Sequence, residues 1–182
     1  MLSGMTNELE LIRRCALGEA AAFDALYARH GERVWRLCVC MTGNQTEAED
    51  LAQEVWLAVF QKIGGFRCES ALSTWLYRVT VNVHLQRRRH MPPEDVISPD
   101  EIATDQRSSP EEHLAASERA ARVRAAVAAL PETLRLALLL RVNEELSYAA
   151  IAEVLGCTCA AAKMRIARAR AMLAEAMAEE DR

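Results

Sequence analysis

The chain has 182 residues, 51% of them hydrophobic but only 5% aromatic, and a net charge of −4. That length allows one or two domains, and apolar content drawn largely from alanine and leucine favours helix over sheet. No uncharged apolar run reaches the roughly 18 residues a membrane-spanning helix needs, and MLSGMTNELELIRR has no secretory h-region, so a cytoplasmic location is expected.

In chain order, residues 8–18 predict a short helix with Leu9, Ile12 and Leu17 available for packing. Residues 20–40 predict a longer one, because Phe23, Leu26, Tyr27, Val34, Leu37 and Met41 recur at spacings of three and four. Gly43-Asn44 breaks it. Thr46 followed by Glu49 reads as a capping box, opening a helix whose buried face is Leu51, Val55, Ala58, Val59 and Ile63. Gly64-Gly65 is expected to stop that helix in the left-handed conformation. After a corner containing Phe66, Arg67 and Glu69, Ser70 or Ser73 is placed to cap a helix striped by Leu72, Trp75, Leu76, Val79 and Val83. That helix ends in Arg87-Arg88-Arg89. Residues 1–90 therefore predict an all-helical bundle.

Residues 91–118 change character, with four prolines, eight acids, one base and no apolar period. They predict a flexible acidic linker, and they explain the negative net charge. Residues 1–90 hold 11 basic and 10 acidic side chains, and residues 119–182 hold 10 and 8. A low overall pI therefore does not argue against nucleic-acid binding by the two ends.

Residues 119–182 predict a second helical domain. ARVRAAVAAL ends at Pro131, and PETLRLALLLRV follows. Ser147 then caps SYAAIAEVLG, Gly156 makes a turn, and Thr158 caps CAAAKMRIARARAML, which is the layout of a helix-turn-helix. Ala162, Ile166, Ala169 and Leu173 form the buried stripe. Lys163, Arg165, Arg168 and Arg170 lie off it, and no acid comes before Glu175. A solvated face usually mixes signs; this one is wholly basic.

The six cysteines are expected as reduced thiols. Residues two apart on a helix point about 200° apart, so Cys38 and Cys40 cannot chelate one ion while helical. No C-x-x-C pair occurs, and no metal or cofactor is expected. The histidines, cysteines and carboxylates form no catalytic constellation, so the chain is not expected to be an enzyme.

The string from FRCES through STWLYRVTVN to RRR resembles region 2 of the extracytoplasmic-function (ECF) sigma factors, the small bacterial transcription-initiation subunits. DLAQEVWLAVF resembles that region's helix for docking on core RNA polymerase, and LPETLRLALLLRVNEELSYAAIAEVLGCTCAAAKMRIARARAML resembles region 4. Two unlike segments match in the right order. The resemblance implies two small helical domains, 1–90 and 119–182, joined by the linker 91–118. It implies that Glu47, Asp50, Gln53 and Glu54 dock on core polymerase. It also implies that Phe66, Arg67, Arg78, Asn82, Arg87, Arg88 and Arg89 hold the melted minus-ten element of promoter DNA, whereas Trp75, on the apolar stripe, reads as core. Thr158, Lys163, Arg165 and Arg168 would read the minus-thirty-five element. The sequence departs from the family at Ala162 and Met164, where β-branched and polar residues are commoner, so the outward first turn offers no bidentate base reader. An anti-sigma partner is implied as well. The competing expectations are an autonomous helix-turn-helix regulator that needs no polymerase, and a helical scaffold whose arginines bind an acidic partner.

Overall fold

The computed structural model describes residues 2–90 and 120–180, with side chains from 8 to 178. The linker expectation falls outside the described residues. Every regular element described is helical: α1 (Leu2–Ala16), α2 (Ala20–Thr42), α3 (Gln45–Lys62), a 3₁₀ turn (Ile63–Gly65), α4 (Leu72–His90), α5 (120–128), α6 (Glu132–Val142), α7 (Tyr148–Val154) and α8 (Cys159–Glu180). The all-α expectation holds.

Several local expectations need correcting. The first helix starts at Leu2, and it packs through Leu11, Ile12 and Cys15; Leu9 and Leu17 are exposed. Tyr27, expected on the packing face of α2, is also exposed. The cap of α3 is Asn44, whose side chain accepts from the Glu47 amide at 3.0 Å, and Thr46 lies inside the helix. Asparagine two residues earlier offers the same acceptor, so the capping-box pattern pointed to the right turn and the wrong residue. Gly64 and Gly65 do not take left-handed angles; the chain tightens into a 3₁₀ turn instead, and the left-handed residue of the corner is Cys68 at φ 56°. Neither Ser70 nor Ser73 stands at the start of α4. The Ala71 carbonyl accepts its first bond, from the Trp75 amide.

The remaining caps fall where the sequence puts them. Gly43 ends α2 at φ 71°, in the left-handed conformation that glycine adopts without a Cβ penalty. Ser147 accepts from the Ala150 amide at 3.2 Å, Thr158 accepts from the Ala161 amide at 3.1 Å, and Gly156 turns at φ 59°. These three residues set the angle between α7 and α8, and Ile151, Ala162 and Ile166 fill the space between those helices.

The core is continuous across the two helical groups. Leu26, Leu37, Leu51, Val55, Leu76 and Val79 belong to one apolar cluster with Leu136, Leu140, Ile151 and Val154. Among the elements meeting across the boundary are α4 with α7 and α2 with α6. The second group also keeps a small cluster of its own, Leu130, Leu134, Leu138 and Ala169. Burying the faces of α6 and α7 against α2 and α4 removes apolar surface from water at roughly 25 cal/mol per Å², so the two groups hold together as described.

Candidate nucleic-acid interface

The corner between α3 and α4 and the first turns of α4 form a shallow open pocket of about 120 Å³. Phe66, Arg67, Ser70, Trp75, Arg78 and Glu153 are among its lining residues. The Phe66 and Trp75 rings meet with centroids 5.3 Å apart, tilted by 49°. Trp75 is buried, as its place on the apolar stripe predicts, yet one edge of it forms the pocket wall. An aromatic floor flanked by guanidinium groups can stack an unpaired base and attract its phosphate.

The sequence-predicted strand residues divide into two sets. Phe66, Arg67 and Arg78 come together in the pocket, and Asn82 follows Arg78 by one turn on the exposed flank of α4. Arg87, Arg88 and Arg89 lie at the other end of α4 and do not reach the pocket lining. Arg87 turns back to α3, where it stands 3.6 Å from Asp50 and 3.5 Å from Glu54. Residues assigned to polymerase docking and to DNA are thus ion-paired to one another. Arg88 stands 3.7 Å from Glu132 of α6. Arg67 and Arg89 are exposed and pair with no acid among the described residues.

On α3, Asp50, Gln53 and Glu54 are exposed and Glu47 is half-buried. Beside them is an apolar surface that sequence reasoning missed. Leu57 (59% exposed), Phe60 (53%) and Tyr27 (54%) surround Phe23 and Trp56. Phe23 meets Trp56 edge-on at 5.9 Å and Phe60 at 5.4 Å, and Tyr27 lies 4.9 Å from Trp56. Gln53, Leu57 and Phe60 follow at spacings of four and three, so polar and apolar residues share one exposed stripe. The signal was available, since Leu57 and Phe60 lie off the Leu51–Val55–Val59–Ile63 face.

In the helix-turn-helix, Ala162, Ile166 and Ala169 are buried and Met164 is 70% exposed. Lys163 and Arg168 are exposed and Arg165 is half-buried. The Tyr148 ring sits between two cations, with the Arg141 guanidinium at 5.0 Å and the Lys163 ammonium at 5.5 Å. This contact orients Lys163 at the start of α8.

The thiols sit apart from these surfaces or on their margins. Burial pushes the Cys38 thiol up to about 12, so it stays protonated in the core. Cys40, half-buried, accepts from the Asn143 side-chain amide at 2.9 Å, across the boundary between the helical groups. Among the described residues no three His, Cys, Asp or Glu side chains gather closely enough to hold a metal ion. No described helix is long and apolar enough to cross a membrane.

Two family patterns cover the segments that carry these surfaces. The pattern that defines Sigma-70 region 2 matches residues 26–90, and that of Sigma-70 region 4 matches residues 120–173. The RNA polymerase sigma-H factor of Pseudomonas aeruginosa is 34% identical over 181 residues, covering 94% of each chain. This chain is an ECF sigma factor of the sigma-70 family. The ECF RNA polymerase sigma-E factor of Haemophilus influenzae is 34% identical over 173 residues, covering 90% of this chain and 91% of that one. A solved structure of CnrH in complex with the cytosolic domain of CnrY superposes with a TM-score of 0.69 at 25% identity, covering 94% and 97% of the two chains. As a member of this family the chain is a polymerase-directing initiation factor.

Proposed function

We propose that this sigma factor divides its work among three surfaces. The α3 stripe, with Glu47, Asp50, Gln53 and Glu54 beside Leu57 and Phe60, docks on core RNA polymerase. The pocket of Phe66, Arg67, Trp75 and Arg78, extended by Asn82, captures the melted minus-ten strand. The basic face of α8, with Thr158, Lys163, Arg165 and Arg168, binds the minus-thirty-five duplex. The observation that carries this reading is the pocket, where two aromatic rings tilted at 49° and two arginines line one opening in the segment matched to region 2.

Each surface has the chemistry its role needs. A mixed acidic and apolar stripe suits a protein partner, whose interface core is apolar and whose rim is charged. Aromatic stacking with guanidinium groups suits unpaired bases of any sequence. A single-sign basic helix suits duplex phosphates. In this reading the phosphodiester chemistry belongs to the polymerase. The cytoplasm is the place of work that follows from the partner. An anti-sigma factor is the inhibitor this reading expects, since a sigma factor of similar fold, RpoE of Bartonella quintana, is solved in complex with the anti-sigma factor NepR.

Run-off transcription tests the proposal directly. Core polymerase should initiate specifically on a cognate promoter template only when this chain is added. Tight operator binding by the isolated chain, with no stimulation of core polymerase, would instead establish the autonomous regulator.

A further inference from the structure

The corner between α3 and α4 reverses direction at a residue ill suited to the task. Cys68 stands at φ 56°, in the left-handed region, where a Cβ crowds the following carbonyl. Three of the other four left-handed residues described are glycines. Gly64 and Gly65, which could take such angles without that cost, lie just before it and stay in the 3₁₀ turn. Cys68 is exposed and is not part of the pocket wall, yet the residues on both sides of it are: Phe66 and Arg67 before, Glu69 and Ser70 after. Little else shapes the loop. The Phe66 amide donates to the Ile63 carbonyl at 3.1 Å, and the Ala71 carbonyl accepts from the Trp75 amide at 3.1 Å. Between them, among the described residues, no hydrogen bond or ion pair holds residues 67–70.

We infer that Cys68 is a positioning residue for strand capture: its left-handed backbone brings the two halves of the corner around one opening, and the cost of a side chain at that angle limits how much of the time the pocket is formed. This rests on the role proposed above for the pocket. The backbone angle acts here, and the thiol has no part in it. Relative to glycine, a residue with a Cβ loses about tenfold in its local equilibrium at such an angle. With no hydrogen bond in residues 67–70 to offset that loss, the formed corner competes with conformers in which residue 68 returns to negative φ. A strand binds only the formed corner, so its apparent affinity falls by the fraction formed. An unfavourable angle kept in a loop so little tied down points to a use for it.

The test is fluorescence anisotropy of a fluorescein-labelled oligothymidylate twelve-mer with the full chain at low salt, where phosphate contacts are strongest. Glycine and asparagine are most at ease at positive φ, and a β-branched residue is least so. Cys68→Gly and Cys68→Asn should therefore tighten binding at least about threefold, and Cys68→Val should weaken it at least about tenfold. Cys68→Ser, the conservative variant, should keep the affinity of the cysteine chain. Neither size nor polarity gives that order, since glycine is smaller than cysteine and asparagine larger and more polar. Helicity by circular dichroism should be the same throughout, which a general loss of structure would not allow. Equal binding across the series overturns the inference, as does weaker binding after Cys68→Gly and Cys68→Asn, or a loss after Cys68→Ser. If Cys68→Val fails to fold, the other three chains still decide. Phe66→Ala separates this outcome from the proposed function. If it abolishes binding while the Cys68 series is flat, the pocket stands and the role of Cys68 falls. If it changes nothing, or if no chain binds, both fall.

Discussion

Tyr77→Phe removes one oxygen atom and tests how the two helical groups are held. The Tyr77 hydroxyl donates to Glu144, whose side chain is 3% exposed and whose nearest cation, Arg36, is 4.0 Å away. Burial and the Glu144 carboxylate both raise the phenol's pKa, so at neutral pH it is the donor and the carboxylate the acceptor. Without that donor, a buried carboxylate loses its one close hydrogen bond. Leaving a buried charge so exposed to a low dielectric costs about 3 kcal/mol, toward the low end of broken buried pairs because Arg36 remains nearby. With a urea dependence of about 1–3 kcal/mol per molar, the unfolding midpoint should fall by about 1–3 M. Adding Glu144→Leu should recover most of the loss, since the orphaned charge leaves with its partner. Urea titrations of the four chains, followed by circular dichroism and tryptophan fluorescence together, measure the cycle. A Tyr77→Phe loss below about 0.5 kcal/mol, the size of an ordinary surface change, would show that Glu144 is hydrated and the boundary open.

The other surfaces make separate predictions. Lys163→Ala and Arg168→Ala should each weaken binding to promoter duplex, by about 1–3 kcal/mol for a residue that reads a guanine and less for one that meets phosphate, measured by promoter titration of the polymerase complex. Leu57→Asp with Phe60→Asp should abolish co-purification with core polymerase while leaving helicity intact, because both side chains face solvent in the free chain. Stability should be level above the ordinary histidine value near 6.5 and fall as the pH drops below it. Burial lowers the pKa of both His30, beside Arg29 and Arg33, and His84, where burial with Arg135 and Arg88 nearby outweighs Glu132. The fold therefore favours the neutral rings, and acid must charge them; thermal melts at pH 7.5 and 5.5 should differ, and His30→Gln with His84→Gln should flatten the difference.

What the sequence made legible follows from the range of the forces involved. Helix positions, Ser147, Gly156 and Thr158, and the buried stripe of α8 are local facts, set within a turn or two. The pocket was legible as residue types, but not Trp75's double place as core and wall, because a stripe tells which face is buried and not where burial ends. Asn44 displaced Thr46 as the cap, since two acceptors stood within reach of one helix start. The pairings Arg87 with Asp50 and Glu54, and Glu144 with Tyr77, join residues 33 to 67 positions apart. No periodicity encodes them. They depend on how helices cross, which only the packed chain shows.

Closure and function pull against each other through distance. Two promoter elements read by the two helical groups lie roughly two duplex turns apart, about 70 Å at 34–36 Å per turn. In the closed chain α4 and α7 are in contact, so the pocket and the recognition unit cannot serve both elements at once. A relaxed coil of 28 residues, the length from 91 to 118, would span only about 30 Å, and a fully extended chain of that length about 90 Å. Length therefore permits the open state without favouring it. Opening exposes the apolar faces shared by α2, α4, α6 and α7, and holding any connection of that length extended costs entropy as well. Both costs must be offset by surfaces outside the chain. A partner that binds the α3 stripe alone gains nothing from opening and shifts no equilibrium, however tightly it binds. Only one that also holds the separated second group, the linker or the melted strand favours the open state. In the function proposed above, core polymerase with promoter DNA is that partner, and the expected outcome is weak binding of free duplex by the chain alone, which a gel-shift titration with and without core polymerase measures.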